Sequence, residues 1–147
     1  MLNRLLWRST GFVAVGGLVL LAVAGCTAKS DRFSPVSGNV SVDGKPLATG
    51  SVTFHPHLAK GNLTPHIPVG TVDTQGNYKL MSATKQGAPS GWYKVTVTAQ
   101  EPIDPKTPYA PPRNLISPKW SDATTSGLEI EVVDHPSAGA YDLKLAP

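Results

Sequence analysis

The chain has 147 residues, a formal net charge of +3 and one cysteine. Two of the positive charges, Arg4 and Arg8, precede the first long apolar run, and the later lysines stand singly among acids, which excludes the basic footprint of a nucleic-acid binder. A solitary cysteine also excludes a disulfide within the chain. About 120 residues follow the apolar run, enough for one domain that must be held by its hydrophobic core.

In chain order, Arg4 and Arg8 form a basic start, and Gly11 to Ala24 form an apolar stretch too short and too glycine-rich for a comfortable membrane span. The stretch ends in Leu20-Leu21-Ala22-Val23-Ala24-Gly25-Cys26. Val23-Ala24-Gly25-Cys26 resembles the lipobox of bacterial lipoproteins, with small residues at the two positions before the cysteine. The resemblance implies that residues 1–25 are a signal peptide and that Cys26 becomes the mature N-terminus. There it would carry a diacylglyceryl thioether and often an amide-linked palmitate. Because each buried CH₂ contributes roughly 0.8 kcal/mol, two or three acyl chains anchor a protein effectively for good. Thr27 is not the aspartate of an inner-membrane retention signal, so the expected location is the cell envelope, at the outer membrane and facing the periplasm.

Residues 26–34 read as the acylated tether, since Thr27 to Arg32 is polar and lacks a hydrophobic period. The domain is expected over 35–147. Val36 to Val42 alternates as a half-buried strand, Asp43-Gly44-Lys45-Pro46 supplies a turn, and Ser51 to His55 forms a second strand with Val52 and Phe54 inward. Further strands are predicted at 69–73, 78–81, 93–99, 128–133 and 141–145. Thr74-Gln75-Gly76-Asn77 turns the third into the fourth, with Gly76 free to take positive φ. Tyr93, Val95 and Val97 share one face of the fifth strand, while Leu128, Ile130 and Val132 oppose Glu129 and Glu131 on the sixth. Seven short alternating strands with almost no helical period predict an all-β fold, a seven-stranded antiparallel β-sandwich. Two connections are long. Residues 57–68 hold two prolines and two histidines, and residues 100–120 hold six prolines, which excludes regular structure except one helical turn near Lys119 to Ala123.

Val36-Ser37-Gly38-Asn39-Val40, Asp43-Gly44-Lys45-Pro46-Leu47, Thr71-Val72-Asp73-Thr74-Gln75-Gly76-Asn77-Tyr78 and Gly91-Trp92-Tyr93-Lys94-Val95 together resemble the carboxypeptidase regulatory-like, or transthyretin-like, domain of small planctomycete-type lipoproteins. These are turn and core positions, so the resemblance implies a fold and leaves the function open. In the peptidases such a module accompanies a catalytic domain without doing chemistry. The related purine-pathway hydrolases end in Tyr-Arg-Gly-Ser, and this chain ends Leu143-Lys144-Leu145-Ala146-Pro147.

His55, His57 and His66 are the candidate metal ligands, because a strand running through His57 would put two histidines on one side and the loop could return the third. Pro56 opposes that continuation. Glu129 and Glu131 share a face suited to acid–base work, yet read more simply as a wet sheet surface beside lysines. Ser117, Ser121 and Ser126 sit in no nucleophile elbow. Trp92, Tyr109 and Trp120 are the aromatics that could stack on a sugar or partner protein, or could instead pin the proline-rich loop, with Tyr109 or Trp120 lying over Trp92. The leading expectation is a non-enzymatic envelope lipoprotein, a structural or protein-interaction module without cofactor, held to the membrane through Cys26 and meeting an envelope protein or glycan. The alternatives are a carbohydrate-binding lipoprotein using the aromatics and a periplasmic metal-binding protein using His55, His57 and His66.

Overall fold

The computed structural model describes residues 32–146. The expected signal peptide, Cys26 and the expected tether as far as Asp31 lie outside the described residues. Within them the protein is all-β. The strands are β1 (Phe33–Ser34), β2 (Ser37–Val42), β3 (Lys45–Pro46), β4 (Gly50–Pro56), β5 (Val69–Val72), β6 (Asn77–Lys79), β7 (Met81–Ser82), β8 (Lys85–Gln86), β9 (Ala88–Pro89), β10 (Gly91–Thr98), β11 (Leu128–Val132) and β12 (Leu143–Leu145).

The main sheet runs β11-β10-β4-β5-β6-β2-β12 and curls into a half-barrel, while β1 pairs separately with β9. These seven strands correspond to the seven that alternation predicts, with ends shifted by one or two residues. The five additional strands are two-residue pairings, too short to carry a period. One of them, β1, falls in the stretch that the sequence division assigns to the tether. A second difference is direction. β12 lies parallel to β2, with Leu143 opposite Val40, whereas the other pairings are antiparallel. Most of the domain separates these two strands in sequence, so no hairpin forces them to run oppositely.

Local chemistry sets the turns. Asp43 (φ 50°) and Gly44 (φ 76°) make the two-residue connection from β2 to β3. Gly76 takes φ 83° in the next turn, which the Asp73 carboxylate braces by accepting the backbone N–H groups of Gln75 (2.8 Å) and Asn77 (2.9 Å).

The inward faces of β4 and β10 register Phe54 with Val95 and Val52 with Val97, all fully buried. Tyr78 and Tyr93 fill the space beside them, and each hides its hydroxyl by donating to a carbonyl, Tyr78 to Tyr141 (2.6 Å) and Tyr93 to Pro89 (2.8 Å). Among the described residues, no buried side-chain nitrogen or oxygen lacks a partner. Leu128, expected inward at the sheet edge, is only half-buried.

The 100–120 connection behaves partly as expected. A 3₁₀ turn at Pro118–Ser121 inserts Trp120 into the core, and its indole Nε1 donates to the carbonyl of Ala146 (3.0 Å). Tyr109 pins nothing, because its side chain is 97% exposed.

Candidate functional site

The segment between β4 and β5 does not loop into solvent; it folds over the end of β10. Its anchor is the carbonyl of Trp92, which accepts both the backbone N–H of His57 (2.9 Å) and the Nδ2 of Asn62 (2.8 Å). Between these points Leu58–Lys60 form a 3₁₀ turn that Gly61 closes in the left-handed conformation. The turn carries Lys60 back across the sheet end, where its ammonium lies 3.7 Å above the Trp92 ring.

Two carboxylates from the C-terminal half of the domain complete this region, one bonded to the loop and the other to the first described residues and Ser90. Glu129, on the outward face of β11, is held between His57 Nε2 (3.1 Å) and Lys60 Nζ (2.5 Å). Since a carboxylate only accepts, the His57 nitrogen facing it carries the proton. The bond from Lys60, followed by that from His57, holds the Glu129 carboxyl below its ordinary range. Asp134, just past β11, accepts from Ser34 Oγ (2.7 Å), Ser90 Oγ (3.1 Å) and Arg32 (3.3 Å). Its carboxyl is lowered too, by the two serines first and the arginine after them. Between the clusters opens a cleft of about 680 Å³, with Trp92, Asn62, Leu63, Glu131 and Arg32 on its walls.

No protein family, curated protein or solved structure matches this chain.

The geometry redistributes the candidates that the sequence offers. His57 is neither on a wet face nor in a solvated loop; it is buried against Glu129 because Pro56 ends β4 and the backbone bond to Trp92 turns it inward. His55 remains on the outward face of β4, with Nε2 3.0 Å from Thr96 Oγ1. His66 stacks edge-on against Phe33, ring centroids 5.2 Å apart. The three rings thus go to three places, and among the described residues no group of three His, Cys, Asp or Glu side chains is placed to hold a metal ion. Glu129 faces Lys94 in strand register, yet its side chain goes to Lys60 of the loop. The Trp92 ring is covered by Lys60 of the 57–68 loop and not by Tyr109 or Trp120, so it does not take the expected part in pinning the proline-rich connection.

Chemically, His57 and Glu129 have the form of a base and its orienting acid. Their hydrogen bonds are directed to each other and to Lys60, while the Ser90 hydroxyl at the cleft and that of Ser34 are turned toward Asp134. The sequence signals for both clusters were weak. Lys60 and Asn62 are ordinary loop residues, and only the long-range pairing of β10 with β11 puts Glu129 where Lys60 meets it.

Proposed function

We propose that the chain is a bacterial envelope lipoprotein, anchored by acyl chains on Cys26, whose folded part is a non-enzymatic structural or protein-interaction module. The module is a transthyretin-like, carboxypeptidase regulatory-like β-sandwich, and the anchor holds it at the outer membrane facing the periplasm. The observation that carries this reading is the single cysteine, placed at the end of a basic and then apolar leader and directly after Val23-Ala24-Gly25. Its non-enzymatic part is supported by the bonding of Glu129 to His57 and Lys60 and of Asp134 to Arg32, Ser34 and Ser90, clasps that fasten a loop and the first described residues. Cys26→Ser abolishes incorporation of a fatty-acid probe and leaves an uncleaved or soluble precursor. Unchanged labelling and membrane retention in that variant overturn the anchor, and recovery of the wild type solely with the inner membrane overturns the placement.

A second reading draws on the cleft itself. An indole beside amide and carboxylate groups is a composition suited to a saccharide. Lys60 must leave the Trp92 face for a sugar to stack there. Glycan-array binding that disappears in Trp92→Ala supports it, and an array without signal removes it.

A further inference from the structure

The beginning of the folded chain and the loop of the cleft are neighbours. Arg32 reaches Asp134, Ser34 joins the same carboxylate, and Phe33 stacks on His66 of the loop. Arg32 and Leu63 both line the cleft. Whatever holds residue 26 therefore holds this end of the domain nearby, because Arg32 is the sixth residue after Cys26 and six chain steps span at most about 22 Å.

This end also carries exposed apolar surface. Leu58 is 68% exposed, Leu63 79% and Ile67 54%, three large apolar side chains within ten residues. Beyond them, Val69 and Met81 are cross-strand partners that are also exposed. Isolated exposed leucines are ordinary on a protein surface, whereas a cluster on one loop beside an attachment point calls for an occupant. The loop is held in one shape by the bonds from His57 and Asn62 to Trp92 and from Lys60 to Glu129, so presenting these side chains requires little new ordering.

We infer that the 57–67 loop rests on the bilayer itself, with Leu58 and Leu63 entering the interface and Lys60 and Trp92 at the level of the headgroups. The inference depends on the acylated-Cys26 reading. Around the cleft Arg32 and Lys60 are balanced by Glu129, Glu131 and Asp134, so the contact is apolar insertion and not polybasic attraction to anionic lipid. Two leucines are too few to recruit a protein from solution. A short covalent link makes the contact intramolecular, with an effective concentration on the order of millimolar, and a weak contact then suffices to orient the domain.

The test uses the mature acylated protein in vesicles of phosphatidylethanolamine and phosphatidylglycerol. With the Cys26 thiol consumed by its lipid, Leu63→Cys provides one attachment point for a nitroxide, and Tyr109→Cys provides a control in the other long loop. The expected result is a label at position 63 that is several-fold less accessible to an aqueous nickel chelate, and more accessible to oxygen, than the label at 109. Adding Leu58→Asp to the Leu63→Cys protein moves the label at 63 toward water without removing the lipid. Equal accessibility at 63 and 109, with the lipid on Cys26 verified by mass spectrometry, overturns the docking and leaves the lipoprotein reading intact. Protection at 63 that appears only in native envelope, and not in pure vesicles, assigns the face to a protein or glycan and also overturns it. Absence of lipid on Cys26 overturns both.

Discussion

Replacing Tyr78 with phenylalanine removes one oxygen from the centre of the fold and leaves its apolar packing unchanged. That oxygen donates to the Tyr141 carbonyl at 2.6 Å, tying β6 to the segment that leads into β12. Gly38 backs onto the same carbonyl so closely that a Cβ there would lie 2.3 Å from it, which leaves no room on that side for a water to replace the phenol. The expected loss is the bond, about 1 kcal/mol, plus the desolvation of a stranded acceptor, for a total of about 1–3 kcal/mol at pH 7. The pH dependence gives a second reading of the same contact. Burial first, and the nearby charge of Asp142 second, push the Tyr78 phenol above its ordinary value of 10.0. Below that value both folded and unfolded chains keep the proton, and the contribution is fully present. As pH rises past it the unfolded chain releases the proton first, so stability falls until the folded phenol also ionises. Urea melts of wild type and Tyr78→Phe, from pH 7 to pH 11, should show a gap that narrows above pH 10. A variant as stable as wild type at pH 7, with the same alkaline slope, refutes the claim that this phenol clamps the chain end.

Tyr93→Ala, at a fully buried position 5.6 Å from the Phe54 ring, should cost about 3–5 kcal/mol in a denaturant melt. Against a total of about 5–15 kcal/mol this approaches unfolding, and a loss below about 1 kcal/mol would mean that the strand faces are reversed. His57→Ala should cost about 1–2 kcal/mol, since it removes a buried ring bonded to a partly screened carboxylate, while His55→Ala on the outward face should cost no more than about 1 kcal/mol. Equal melts for the two histidine variants would contradict the buried placement of His57. Glu129 has a folded-state value below its ordinary 4.5, so its contribution is present above pH 4.5 and lost as pH falls through the lowered value. Glu129→Gln should therefore flatten the acid limb of stability, and an unchanged limb would show that its bonds to Lys60 and His57 contribute nothing.

Much of the sheet was legible because alternation is a local signal. Val52 and Phe54, or Tyr93, Val95 and Val97, announce their faces without knowledge of their neighbours, and the buried rows follow those residues. Two kinds of feature escaped. The pairings of two residues, such as Phe33–Ser34 with Ala88–Pro89, are shorter than any period. The clasps at the cleft join partners such as Lys60 and Glu129, whose meeting depends on the β10–β11 register across a long proline-rich connection. His57 shows the consequence: read alone it is a loop histidine after a proline, and only the carbonyl of Trp92 turns it inward.

The parallel seam between β2 and β12 bears on how the fold is completed. Val40 and Leu143 lie about one hundred residues apart, and closing a loop of that length costs about 4 kcal/mol in chain entropy before the first contact is made. Pairings such as β5 with β6 need only a short turn, so they have a large entropic head start over the seam. A chain ending before Tyr141 has no β12 to cover β2, no carbonyl for the Tyr78 hydroxyl and no Ala146 for Trp120. Folding of this domain is thus sealed from its far end, and the last few residues decide whether the first long strand is closed or left as an open edge able to pair with another chain.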